Sequence, residues 1–163
     1  MIQRFLALLL LSAALPALAQ AQPVPAANYT DLWWNSAENG WGITITQHPS
    51  NQFFAIWYTY DPRVPDPASP GNFKPLWIVM SGGFWQSPTS ITGPVYVLNG
   101  TPYFQSGSSR QQTEIGTFTF SFANAQSGTF TYNIKPPSGL AQNDPAFGLP
   151  TMSGSKAITR LPF

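Results

Sequence analysis

The chain lacks cysteine, has a single histidine, and carries charge on only 8% of its 163 residues. Without cysteine, a disulfide scaffold and a thiolate zinc site are excluded. With His48 alone, any metal would have to be held by carboxylates. A Ser-His-Asp triad would need that same residue, which falls in a His48-Pro49-Ser50-Asn51 turn, and no G-x-S-x-G elbow exists. No glycine-rich phosphate loop is present. The 7 basic residues are scattered, too few to neutralise a run of phosphates, so nucleic acid is not an expected partner. Long helical patterns are missing as well. Past residue 30, no stretch keeps a 3.6-residue apolar period for three turns.

Aromatics are plentiful instead, at 15% of the chain with 6 tryptophans, and the formal charge is +1. Disorder goes with few aromatics and high net charge, so a folded domain is expected. Residues 1–19 read as a secretory signal. Arg4 supplies the positive start, an apolar stretch follows from Phe5 to Leu15, and Ala17-Leu18-Ala19 offers the small-x-small cleavage pattern. The apolar run is shorter than the ~20 residues of a membrane-spanning helix, so no transmembrane segment is expected after cleavage. Export to the periplasm or the extracellular space follows. Residues 20–29, with Pro23 and Pro25, read as an extended leader, and residues 30–163 as a single all-β domain.

Period-two alternation of β-branched and aromatic residues predicts eight strands, over about 31–35, 41–48, 52–60, 74–81, 90–98, 114–122, 129–134 and 155–161. Asn39-Gly40, Gly82-Gly83, Asn99-Gly100 and Ser127-Gly128 punctuate them as turn formers. Gly116-Thr-Phe-Thr-Phe120 and Gly128-Thr-Phe-Thr-Tyr132 are near-copies and read as a hairpin, whereas Pro94 inside a strand implies a bulge or an edge. Segments 53–58 and 76–80 are apolar on both faces. That pattern fits an eight-stranded antiparallel meander barrel, or else a two-sheet β-sandwich with its outside covered. A barrel of this size is either filled by side chains or hollow enough for one small ligand. Three connections, 61–73, 99–113 and 135–154, are long enough to invite a function, although tolerated surface insertion is the plainer reading.

The segment Asp31-Leu-Trp-Trp-Asn-Ser-Ala-Glu-Asn-Gly-Trp-Gly42 is the most distinctive in the chain. It resembles the opening of a widespread, largely uncharacterised family of Trp-rich bacterial secreted domains, which occur alone or appended to exported hydrolases. The similarity continues through Trp57-Tyr58-Thr59-Tyr60-Asp61, residues 75–80, Gly93-Pro94-Val95-Tyr96 and residues 128–132, and ends at residues 154–160. The resemblance implies an exported all-β domain and brings no established activity. Loops 61–73 and 135–154 are longer than that family's norm. A weaker resemblance, to lipocalin and avidin-like barrels, would set Trp33 or Trp34 against Arg160 as a cation–π pair.

No cofactor and no metal are expected. The only catalytic route left is a carboxylate pair, for which Glu38 and Asp61 at one barrel mouth are the candidates; Asp66 and Asp144 sit beside prolines and read as solvated. The plainer reading of Glu38 is a turn residue bonding backbone amides. The informative residues are aromatic: Trp34, Trp41, Trp57, Tyr58, Tyr60, Trp77 and Trp85, with Asn35 and Glu38 on the turn between tryptophans. Amphipathic rings with few charges suit a small neutral ligand, a glycan or a protein surface. The first reading is therefore a non-enzymatic binding module with an aromatic cavity or platform. The alternatives are a structural or protein-interaction domain with a filled core, and a hydrolase using Glu38.

Overall fold

The computed structural model describes residues 23–65, 71, 73–107 and 109–162. Residues 1–19, where the signal is expected, and Asp66 lie outside them. Nine antiparallel strands form one sheet: β1 (Asp31–Trp34), β2 (Gly42–Gln47), β3 (Phe53–Pro65), β4 (Phe73–Met80), β5 (Phe84–Ser87), β6 (Ser90–Gly100), β7 (Arg110–Asn124), β8 (Ser127–Ile134) and β9 (Met152–Arg160). Neighbours in the series β1 to β4 pair with one another, as do neighbours in the series β6 to β9, and β9 returns to β1. A contact between Val79 of β4 and Tyr96 of β6 closes a barrel-like ring of eight strands. The ring is a meander, as the alternation predicted. Among the described residues there is no helix.

The eight expected strands are all present, and β5 is additional. It continues β4 beyond Gly82-Gly83, and both segments pair with β6. Pro94 falls where that side of β6 passes from β5, ending at Thr92, to β4 at Tyr96, and the ladder with β7 slips between Val95 and Tyr96. The missing N–H of proline is tolerated at such an irregularity. The 61–73 connection is shorter than expected, because β3 runs on to Pro65. Likewise β6 reaches Gly100 and β7 starts at Arg110, which trims the 99–113 loop.

The interior is filled with rings. Phe118, Phe120 and Phe130 are fully buried and meet at centroid distances of 4.8 to 6.4 Å, with Trp57 edge-on to Phe118 and Phe130 at 5.9 and 5.3 Å. Burying each such side chain is worth roughly 1.5–3 kcal/mol, and ring pairs add ~0.5–1.5 kcal/mol. Tyr29 lies outside the expected domain boundary, yet it is buried. Its ring stacks on Phe122 at 3.7 Å, and its carbonyl accepts the Trp33 indole N–H at 3.0 Å. The core thus takes in Tyr29, with Ala27 packed against it, ahead of the expected start of the domain at residue 30. Register pairs Trp33 with Arg160, whose guanidinium carbon stands 5.3 Å from the indole centroid.

Loop 135–151 closes the other end. It buries Ala146 and Leu149 in the core, and Arg63 donates to the carbonyls of Pro145 and Phe147 at 2.7 and 3.0 Å. Asp144 is not simply solvated, as its sequence setting suggested. It accepts the Thr113 hydroxyl at 2.8 Å and the Ala146 amide at 2.8 Å. The long loop therefore works as a plug for one mouth of the barrel.

Candidate functional site

Meander topology puts the connections after β1, β3, β6 and β8 at one end, so the Glu38 turn and Asp61 do share a mouth. They do not form a free carboxylate pair. Asn35 and Glu38 close the turn: the Glu38 amide donates to the Asn35 carbonyl at 3.0 Å, and the Asn35 side-chain amide donates to Glu38 Oε1 at 3.3 Å. Glu38 Oε2 accepts the Trp41 indole N–H at 3.1 Å and an ammonium hydrogen bond from Lys156. Lys156 also stands 5.1 Å from the Trp41 ring centroid. Asp61 is taken by Arg63, which donates from Nε at 2.8 Å and from Nη2 at 2.6 Å. Each carboxylate thus has its own cation, and the geometry is that of two clasps.

The hydrogen bond from Lys156 holds the Glu38 carboxyl below its usual 4.5, against partial desolvation and with help from Trp41. At Asp61 burial pushes upward, but the Arg63 hydrogen bonds outweigh it and the net shift is downward. A carboxyl whose folded pKa is depressed contributes stability that is complete above its unfolded pKa and lost as pH falls through the folded one. Acid melting should therefore set in below the ordinary values of 4.5 and 3.8. In melting-temperature scans across pH, Glu38→Gln should flatten part of that fall. An unchanged acid limb would mean the clasp contributes nothing.

His48 Nδ1 accepts the Ser50 amide at 3.1 Å, which requires it to be unprotonated, and so also accepts the Ser50 hydroxyl at 2.7 Å, closing its turn. No group of three His, Cys, Asp or Glu side chains gathers among the described residues.

The aromatic candidates divide by face. Trp57 and Trp85 point inward and are 5% and 3% exposed, so they line the filled interior and not a surface. Trp41 is half-buried and packs against Phe130 at 6.4 Å beneath the Glu38 clasp. Tyr58, Tyr60 and Trp77 point outward, with Trp77 62% exposed. Register aligns Gly42, Tyr58 and Trp77 across β2, β3 and β4, and the Tyr58 and Trp77 rings meet edge-on at 6.0 Å. Trp34, Tyr58 and Gly42 line a groove of 410 Å³ with Leu32 and Thr44, and Gly42, Tyr58, Tyr60 and Trp77 line an adjoining one of 270 Å³. Gly42, with no side chain, forms the shared floor. Leu32, Gly42 and Thr44 were not singled out from sequence, because a ring is conspicuous there and a gap between rings is not. Neither groove has a charged residue in its lining.

Compared with family models, with curated proteins and with solved structures, the chain matches none.

Proposed function

We propose that the protein is an exported, non-enzymatic binding module whose outer aromatic row, Trp34–Tyr58–Trp77 with Tyr60 at its edge, takes a small neutral ligand or a glycan. The observation that carries this reading is the exposure of a charge-free aromatic surface on strands whose inner faces are already filled. Contiguous exposed apolar patches mark binding surfaces, and an indole face suits a sugar's C–H face while its N–H reaches a hydroxyl. The apolar outer faces of β3 and β4 add nothing to the core. Binding is a reason for them to be aromatic. The engagement of Glu38 by Lys156 and of Asp61 by Arg63 argues against either as a free acid or base. Export rests on the signal-like residues 1–19, and the resemblance to Trp-rich secreted domains agrees with it.

Calorimetric titration with a panel of neutral oligosaccharides and small apolar ligands tests the reading. The wild type should bind at least one of them. Trp77→Ala should weaken that binding about tenfold or more, as removal of an anchoring ring does, with little change in melting temperature. Trp34→Ala should act the same way and cost well under the ~3–5 kcal/mol of a core tryptophan. Silence of the wild type across the panel would overturn the proposal.

A further inference from the structure

The fold treats the two Asn-Gly pairs of the chain differently. Asn39-Gly40 lies in the turn between β1 and β2, and Asn99-Gly100 ends β6. Asparagine before glycine is open to one spontaneous reaction, attack of the glycine amide nitrogen on the asparagine side-chain carbonyl carbon. Glycine has no Cβ to shield that nitrogen, and it lets the backbone reach the conformation that ring closure needs. Asn39, Gly40, Asn99 and Gly100 are all exposed, so water reaches both pairs. What separates them is restraint.

Asn39 and Gly40 belong to no strand, and Gly40 has a φ of 91°. Among the described residues, no hydrogen bond engages the Asn39 side chain or the Gly40 amide. Their neighbours are the tied ones: Asn35 and Glu38 bond to each other on one side, and Glu38 holds Trp41 on the other. Asn99, in contrast, stands on the β6–β7 ladder opposite Gln111, with Gly100 opposite Arg110. Just beyond, the Thr101 amide donates to the Ser109 carbonyl at 3.2 Å. The Asn99 side-chain nitrogen donates to the Asn143 carbonyl at 3.3 Å. Ring closure turns the asparagine out of extended backbone, so the ladder end and the Asn143 bond must both open first.

We infer that Asn39 is a site of spontaneous deamidation, with water as the only co-reactant, and that the fold protects Asn99 from the same reaction. The Gly40 nitrogen bonds to Asn39 Cγ and gives its proton to solvent, and the side-chain nitrogen leaves as ammonia. The product is a cyclic imide. Water then cleaves one of the imide's two carbonyl–nitrogen bonds. Cleavage at Cγ gives aspartate, and cleavage at the backbone carbonyl gives isoaspartate, whose main chain runs through the side-chain carbon. In net, the amide and a water become a carboxylate and an ammonium ion, with no oxidation or reduction. The new charge arises between the Glu38 clasp and the groove lined by Gly40, Trp41, Tyr60 and Trp77, a lining with no charged residue. Aged protein thus carries a negative mark at that rim, whatever the groove binds.

The test incubates the purified protein in warm, mildly alkaline buffer, native and in guanidinium chloride, and follows its chymotryptic peptides by mass spectrometry. Cleavage after Trp34 and Trp41, and after Tyr96 and Tyr103, puts the two pairs in separate peptides, and fragmentation assigns the site. In the native protein the amide-to-acid mass change should accumulate at Asn39, as both aspartate and isoaspartate, and about tenfold or more slowly at Asn99. In guanidinium chloride the two rates should converge. Asn39→Gln, whose longer side chain closes a larger and slower-forming ring, should leave residues 35–41 unmodified at unchanged melting temperature. Equal native rates at Asn39 and Asn99, modification centred on Asn35, or a gap between the pairs that persists in guanidinium chloride would each overturn the inference. So would a native Asn39 that stays intact while the denatured chain reacts there.

Discussion

Replacing Phe130 by alanine is expected to destabilise the protein by about 3–5 kcal/mol, the range for a buried ring whose cavity cannot fully collapse. Phe130 is fully buried, and its ring meets those of Phe118, Phe120, Trp57, Tyr132 and Trp41 at 4.8 to 6.4 Å. It is the point where the aromatic contents of β3, β7 and β8 converge. Rigid rings cannot reshape to fill a neighbour's absence, so the upper part of the range is the expectation. For a domain of this size, melting should fall by roughly 10 °C or more. A loss under ~1 kcal/mol in denaturant titration would mean that the interior is loose enough to repack, and the reading of a filled barrel would fail.

Gly116→Ala is expected to be nearly as severe. Gly116 has a φ of 140°, a conformation that side chains rarely adopt, and a Cβ there would lie 1.9 Å from the Asn133 carbonyl oxygen. Backbone in an unfavourable region costs about 1–3 kcal/mol, and forcing the β7–β8 ladder apart costs a similar amount again. A loss of about 3–5 kcal/mol is the expected sum, read as a shifted urea midpoint with unchanged slope. Gly116 is also where β7 changes phase. Ile115 and Phe118 both point inward although three residues apart, next to the slip opposite Val95–Tyr96. A tolerated alanine would show that this irregularity is incidental.

That phase change explains one difference between expectation and structure. Simple alternation groups Ile115 with Thr117 and Thr119 on one face, whereas the bulge moves Ile115 into the core. In the rest of β7 and in β8 period two sufficed. Phe118, Phe120, Phe122 and Phe130 are inside, and Thr117 and Thr129 are on the outer face. The β5 segment escaped notice because four residues behind Gly82-Gly83 are too few to display a period. Tyr29 was hidden by the prolines before it, since its role as a lid on the core rests on contacts with Trp33, Trp85 and Phe122 rather than on its neighbours in sequence.

The candidate site was harder to read for a specific physical reason. Trp57 and Tyr58 are adjacent and must face opposite ways in a strand, but with apolar residues on both faces nothing in β3 itself says which is inside. Register resolves it: Trp57 pairs with Ile43 and Ile78, both buried, whereas Tyr58 pairs with Gly42 and Trp77. The Glu38 clasp follows the same logic. Glu38 and Trp41 are close in sequence, but Lys156 is 118 residues away and reaches them only because β9 returns beside β1.

Acrylamide quenching of tryptophan fluorescence, with and without a bound neutral oligosaccharide, tests most directly the division between rings that fill and rings that face outward. The account predicts that the quenchable emission belongs chiefly to Trp34 and Trp77, falls in the Trp34→Ala/Trp77→Ala double variant to the share of half-buried Trp41, and that the part lost is the part the sugar protects. Quenching carried instead by Trp33, Trp57 or Trp85, or ligand protection that persists in the double variant, would contradict it.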